Sequence, residues 1–314
     1  MESLTLKQQK KLKRSRKRQW TLREIKKKKI LYLMMMPFLI LFFIFTILPV
    51  TISLFLSFTS FDMLQIPKFI GFDNYVFLIF YDEVFQIAVK NTIIIALITG
   101  PLSYLMAFFF AWLINELPRK VRWFMTLVFY APSISGNVFL LWGLLFSSDM
   151  YGYLNSFLLN AGLINEPILW LSTPKYVLPI LILVQLWLSL GVSFLAFIAG
   201  LQNVDRTLYE AGAVDGIKNR WQELWYITLP QMKPQLMFGA IMQITTSLSV
   251  ASVSISLAGM PSVEYSGHTI LTHLLDYGST KMEMGYASSI ATVLFIIMLT
   301  CNLLVQKILR RVGN

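Results

Sequence analysis

The charged side chains that could do chemistry in this chain of 314 residues are few, and many of them share one segment. From Tyr209 to Pro230 the sequence reads YEAGAVDGIKNRWQELWYITLP, which places Glu210, Asp215, Lys218, Arg220 and Glu223 between two long apolar runs. A single carboxylate, Glu210, beside the slim surface of Ala211, Gly212 and Ala213 suits docking into a cleft of another protein; the alternative is a solvated interfacial linker, which explains the charges but not the run of small residues. Catalysis fits poorly. The chain has no H-E-x-x-H zinc pattern, no nucleophile elbow and no phosphate-binding G-x-x-x-x-G-K-[ST] loop. Cys301 is the single cysteine, so no internal disulfide exists, and His268 and His273 are a poor metal pair that reads as solvated loop residues.

A second group of candidates is uncharged. The run IMQITTSLSVASVSISLAG, starting at Ile241, holds Gln243, Thr245, Thr246, Ser247, Ser249, Ser252, Ser254 and Ser256. Helical spacing sets Thr245, Ser249, Ser252 and Ser256 along one stripe. Such hydroxyls serve close helix packing, bond back to their own helix, or line a polar path. Gln185 and Gln243 are the strongest hydrogen-bonding groups inside the apolar runs.

The elements that must position these residues are membrane spans. Apolar residues make up 56% of the chain and the mean hydropathy is +0.63. Six windows are long enough to cross a bilayer, at about 30–57, 92–115, 122–146, 176–201, 235–260 and 285–306. Their interiors carry no Asp, Glu, Lys, Arg or His, which argues against a proton-coupled carrier and against a membrane enzyme. The predicted class is an all-α polytopic membrane protein with six transmembrane helices. Its predicted organisation is a basic tail (1–29), a six-helix membrane domain (30–308) with a polar loop at 202–234, and a short end (309–314).

The net charge of +11 resembles a nucleic-acid signal until it is located. Residues 1–29 hold 13 of the 27 basic side chains against Glu2 and Glu24, and the rest of the chain is balanced. No aromatic-interleaved fold accompanies the tail, so no nucleic-acid partner is expected; the tail marks topology and touches anionic membrane lipid. Arg119, Lys120 and Arg122, then Arg206, Lys218, Arg220 and Lys233, then Lys307, Arg310 and Arg311 fall on the same side as the tail. Only Lys68, Lys90, Lys175 and Lys281 fall on the other, which predicts both termini on the cytoplasmic side of the cell membrane. The first run is too long for a signal peptide and is expected to remain as an anchor. The missing leader and the lysine-rich composition suggest a Gram-positive membrane.

Local signals refine the spans. An Asp73 or Asn74 cap is expected to open a short helix in the first outer loop, and APSISGN in span 3 predicts a kinked or broken helix. In the charged segment, Asp205 is expected to cap a helix from Arg206, and Gly216 to stop it. A second helix from about Lys218 would present Trp221, Leu224, Trp225 and Thr228 on one apolar face at the membrane interface. Pro230 would end that helix and Pro234 would begin span 5.

The segment EAGAVDGIKNRWQELWYITLP resembles the EAA motif of ABC importer permeases, E-A-A-x-x-x-G followed by I-x-L-P. Glu210, Ala211, Gly212, Gly216, Ile227, Leu229 and Pro230 occupy its positions, with Gly212 where alanine is usual. Asp215 before Gly216, Pro234, and FIGFDNY (Phe69 to Tyr75) before Asn91 and Thr92 resemble the carbohydrate-uptake branch, in particular the first of its two permease subunits. The resemblance implies the type I ABC importer permease fold and four kinds of partner. These are a second homologous permease, two ATP-binding subunits that carry ATP and Mg, an extracytoplasmic solute-binding protein, and the transported solute. It implies no cofactor on this chain. Glu210, Ala211, Gly212, Asp215 and Gly216 would form the ATPase-coupling helix, with Glu210 meeting a basic ATPase residue.

In maltose-type first permeases the sugar-contacting positions flank the EAA loop. Counted from Glu210 without gaps, they correspond here to Gln185, Trp187, Ser189, Thr246 and Ser249, which join Gln243 as a candidate substrate path. The maltose-type pattern has asparagine at the two span-5 positions. An anionic solute would favour Arg or Lys in its path, and the spans offer none, so a neutral sugar or oligosaccharide is the expected substrate. The alternatives are an ABC importer for another neutral or zwitterionic solute, a stand-alone carrier, or a membrane scaffold.

Overall fold

A computed structural model describes Glu24, residues 27–136 and residues 138–309. Expectations that rest on the remainder of the basic tail, on Asn137 and on residues 310–314 fall outside the described residues. The chain forms two compact units, Met1–Phe55 and Leu56–Asn314. Regular structure among the described residues is helical, apart from an isolated antiparallel bridge between Thr59 and Phe69.

Helix α1 (Lys29–Leu56) is apolar throughout, and none of its spanning window is buried. A widened π-turn at Phe43–Ile47 precedes Pro49, whose ring crowds the carbonyl one turn back and whose missing N–H leaves that carbonyl without its helical donor. The short helix α2 (Asp73–Phe80) exists as expected, but Phe72 is its cap residue. Asn74 is used otherwise: its amide donates to the carbonyls of Ser57 and Thr59 at 2.9 and 3.0 Å and so holds the preceding loop.

The helix α3 (Glu83–Asn115) is the axis of the larger unit and begins nine residues earlier than the apolar window indicated. Its buried positions Ala88, Thr92, Thr99, Ser103, Ala107 and Ala111 make a stripe of small side chains, against which other helices approach closely. Span 3 is broken as the proline and glycine signals predicted, into α4 (Arg119–Ile134) and α5 (Val138–Leu145), bent by 81°. Helix α6 (Tyr153–Asn160) follows, anchored by the fully buried Asn155. The Asn155 amide donates to Ile168 O at 3.0 Å, and its oxygen accepts from Ile168 N–H and the Trp170 indole at 3.1 and 2.8 Å.

Span 4 is α7 (Pro174–Leu188) plus α8 (Val192–Gln202); the polar loop holds α9 (Arg206–Val214) and α10 (Arg220–Glu223). Span 5 is α11 (Lys233–Leu248) plus α12 (Ser252–Ala258), and α13 (Ile270–Leu275) leads into span 6, α14 (Met284–Leu309). Among the described residues five helices are long and apolar enough to cross a membrane, and the bent α4–α5 pair, counted as one span, makes six. Helices α8 and α11 pack on α3 and on each other, and Gly239 of α11 lies directly against Phe197 of α8, leaving no room for a Cβ.

At the Glu83 end of α3 the expectation for the histidines is overturned: both are buried, at 3% and 1% exposure. Burial is tolerated because each is hydrogen-bonded. Asp82 caps α3 by accepting from Phe85 N–H at 2.8 Å, and its other oxygen accepts from the Tyr286 hydroxyl at 2.6 Å and from His273 Nε2 at 3.0 Å. A carboxylate only accepts, so Nε2 of His273 donates to Asp82, and Nδ1 of the same ring lies 3.1 Å from His268 Nε2. Asn91 adds bonds to the carbonyls of Tyr265 and His268 at 3.0 and 2.9 Å. The segment around residues 265–273 is thereby folded back into the helices.

Burial alone would raise the Asp82 carboxyl, but the bonds from His273, Tyr286 and Phe85 outweigh it and hold the group at about 2. For His268, burial, reinforced by His273, pushes the imidazole from 6.5 down to about 4. The unfolded chain therefore takes up a proton at His268 that the folded chain refuses, and stability falls as pH drops from 6.5 towards 4. The melting temperature in detergent is expected to decline across that window, and His268→Gln to flatten the decline; an unchanged slope in the variant would count against this reading.

A polar cavity where three spans break

Three interruptions converge. Span 3 opens after Ile134, where Ser135 is extended; span 4 opens at Ser189–Gly191; span 5 opens at Ser249–Ala251. An unsatisfied backbone group in lipid costs several kcal/mol, so irregular backbone at membrane depth is confined to protein-buried or cavity-lining sites. Here the breaks surround a cavity of about 380 Å³. Gln185, Ser189, Gln243, Thr246 and Ser249 all line it, brought together from both sides of the polar loop.

Two glutamines hold the interrupted spans to one another. Gln243 of α11 donates to the carbonyl of Ser189 at 3.1 Å, at the break in span 4. In return, Gln185 of α7 donates to the carbonyl of Thr246 at 3.5 Å, just before the break in span 5. The Thr246 hydroxyl donates to Gln243 Oε1 at 3.2 Å, and Ser193 donates to Gly239 O at 3.2 Å. A Cβ added at Gly191 would lie 3.5 Å from the Cβ of Ser133, so the breaks in spans 3 and 4 lie side by side.

The hydroxyl run of span 5 divides by role. Thr246, Ser249 and Ser252 face the cavity, whereas Ser247 and Ser254 are buried and bond to Ile244 O and Gly267 O. Thr245 bonds back to Ile241 O at 2.9 Å and does not line the cavity. Trp187 also lies outside it, edge-on to Trp142 with ring centroids 5.3 Å apart. Tyr130, Ser133, Ser135, Ser193 and Ser252 line the cavity without having been singled out as path residues. The APSISGN signal contained Ser133 and Ser135, whereas nothing in the sequence marked Tyr130. Among the described residues the lining has no charged side chain.

The loop that carries Glu210 folds as two short helices. Asp205 caps α9 through Thr207 N–H at 3.0 Å, and that bond holds its carboxyl below the usual range. Gly212 faces inward, where an added Cβ would come within 2.7 and 3.0 Å of Ile227 and Ile217. This close seat accounts for glycine at that position. Asp215 follows α9 as its cap residue, and Gly216 turns the chain at φ +96°, a left-handed conformation suited to glycine.

The second helix begins at Arg220 rather than Lys218, because Asn219 supplies the cap by accepting from Gln222 N–H at 2.9 Å. Pro230 does not end it. A π-turn at Leu224–Thr228 absorbs the proline, as at Pro49, and the helix runs on to Gln231. The wider turn also alters the facing: Leu224, Ile227 and Thr228 are buried, whereas Trp221 and Trp225 are exposed, so the single apolar face does not form. Glu210 lines a second cavity of about 550 Å³ beside Arg122, Arg206 and Arg220, and it makes no ion pair among the described residues. Pro234 sits in the first turn of α11, as expected.

Removing the Gln243 amide leaves the Ser189 carbonyl without its cross-span donor. Gln243→Ala is expected to lose about 1–2 kcal/mol of stability, read as a lower melting temperature in detergent. Gln185→Ala, with its longer bond, is expected to lose less; equal stability of Gln243→Ala and the unaltered chain would contradict this role.

Comparison with known proteins agrees with this geometry. The family model for the binding-protein-dependent transport system inner membrane component matches residues 100–313. The chain is 34% identical over 280 residues to the probable ABC transporter permease protein YesP of Bacillus subtilis (strain 168), covering 88% of this chain and 89% of that protein. It is 31% identical over 277 residues to the lactose transport system permease protein LacF of Rhizobium radiobacter, covering 85% and 89%. A solved bacterial ABC transporter involved in the import of the acidic polysaccharide alginate contains a similar chain, with a TM-score of 0.73 and 27% identity over 95% of this chain and 100% of that one. This multi-pass membrane chain belongs to the family of binding-protein-dependent transport system inner membrane components, the permease subunits of ABC transporters.

Proposed function

We propose that the chain is one of two permease subunits of an ATP-driven importer for a neutral sugar or oligosaccharide, and that the cavity at the three breaks is its half of the solute path. The observation that carries this reading is the uncharged, hydroxyl- and amide-lined cavity formed by interrupted spans. Neutral polyols are recognised by hydroxyls, amides and aromatic faces, whereas anions call for Arg or Lys. The similarity to the lactose permease LacF supports a sugar.

The partners follow from what the chain leaves uncovered. Helix α1 is apolar over its spanning window, which suits contact with lipid or with a second permease. Helix α9 presents Glu210 without an ion pair among the described residues, beside a polar cavity that a basic ATPase residue could enter. Two ATPases, holding ATP and Mg, would each receive one such helix, and their closure would move the permeases between inward- and outward-facing states. The basic residues Arg119, Lys120, Arg122, Arg206, Lys218 and Arg220 support a cytoplasmic position for that end and for both termini. An extracytoplasmic binding protein would deliver solute at the opposite end.

A second reading has a specific observation behind it: the similar solved chain belongs to a transporter of an acidic polysaccharide. The uncharged lining favours the neutral solute. The test is a mild-detergent pull-down of the tagged chain, followed by binding of neutral oligosaccharides and of uronate oligosaccharides to the recovered binding protein. Recovery of a second permease and an ATPase, with neutral sugar preferred, is the expected result. Glu210→Ala is expected to weaken ATPase recovery about tenfold or more, since one charge-assisted bond contributes about 1.5–3 kcal/mol. Recovery of the chain alone, or full ATPase recovery with Glu210→Ala, would overturn the corresponding part of the reading.

A further inference from the structure

We propose that Glu116 and Arg220 form an ionic tether, with Trp112 and Trp221 as its apolar half, that carries displacement of the docking helix into α3. The inference rests on the reading of α9 as the helix that meets the ATPase. Arg220, the first residue of α10, donates from Nη2 to Glu116 Oε2 at 3.0 Å and from Nη1 to Glu223 Oε2 at 2.8 Å. Glu116 is the residue that closes α3, so one guanidinium joins the polar loop to the axis of the larger unit. One turn earlier on α3, Trp112 meets Trp221 with ring centroids 5.1 Å apart.

The other half of the path joins α9 to the same second helix. The hydroxyls of Tyr209 and Thr228 lie 2.9 Å apart, and Gly212 seats against Ile227. A push on Glu210 is therefore delivered to residues 220–228, and from there to the end of α3. Helix α3 in turn packs along α8 and α11, whose ends form the breaks around the solute cavity.

The role is positioning rather than stability. Arg220 and Glu116 are solvent-exposed, at 63% and 42% for their side chains, and an exposed ion pair contributes little to folding. A planar guanidinium held between two carboxylates nevertheless sets the direction in which two helices can be displaced together. Breaking the tether is expected to leave the fold and the ATPase contact intact while the cavity stops responding to ATP.

The test uses the assembled complex in proteoliposomes, with Cys301→Ser and a reporter cysteine at Thr246→Cys in the cavity. The readout is the rate of labelling by a membrane-impermeant maleimide, with ATP plus vanadate and without nucleotide. ATP plus vanadate is expected to change the rate in the otherwise unaltered complex. Glu116→Arg and Arg220→Glu are each expected to shrink that change roughly threefold or more, and the combined exchange Glu116→Arg/Arg220→Glu to restore most of it. ATPase recovery and melting temperature are expected to be the same in all of them.

A labelling change that survives both reversals would overturn the tether. So would loss of the ATPase in either reversal, since that would make the pair part of the docking surface. Absence of an ATPase from the unaltered complex would remove the docking reading and the tether with it, and that failure is visible before any variant is made.

Discussion

The exchange of backbone bonds between Gln185 and Gln243 is the interaction on which the interior depends. Each amide reaches across to a carbonyl at or beside the break in the other's span. Without water to satisfy it, an interrupted transmembrane helix needs protein partners for its freed carbonyls. Because spans 4 and 5 supply them to one another, both can open at one depth and leave a polar cavity between them. The small-residue stripe of α3 and the Gly239–Phe197 contact bring these spans close enough for the two amides to reach.

The two ends of α3 are built differently, and the difference matches the roles proposed for them. At the Glu83 end, Asp82, His273, His268 and Asn91 bind the chain between spans 5 and 6 through buried polar bonds that link residues far apart in sequence. Such a fully satisfied buried network rigidifies. At the Asn115 end, the contacts of the polar loop are exposed ion pairs, a tilted tryptophan pair and a hydroxyl bond. Contacts of that kind are weak individually and can shift as a unit, which suits an end that receives motion. The cavity lies between a fixed end and a movable one.

Much of this was legible in the sequence, for physical reasons that differ by element. The spans were visible because a bilayer demands about 20 apolar residues in a row and hides no charge within them. The first docking helix was visible because Asp205 and Gly216 are chemically specific start and stop signals. Span 3 announced its break through Pro132 and Gly136. The breaks in spans 4 and 5 were not visible, because Trp187–Ser193 and Leu248–Ser252 are apolar or small sequences that a straight helix would also accept. The histidines were misjudged because their burial depends on Asp82, about 190 positions away, and local sequence carries no trace of that partner. Pro230 was misjudged because a proline ends a helix only where the preceding turn cannot widen.

The central claim is that solute passes through the cavity at the three breaks. Its most direct measurement is solute protection of a cysteine at Ser249→Cys, in a Cys301→Ser background, in proteoliposomes of the complete transporter. The account predicts that alkylation at this position blocks uptake and that saturating transported sugar slows the alkylation. A transporter that is fully alkylated there yet carries sugar at the unmodified rate would contradict it.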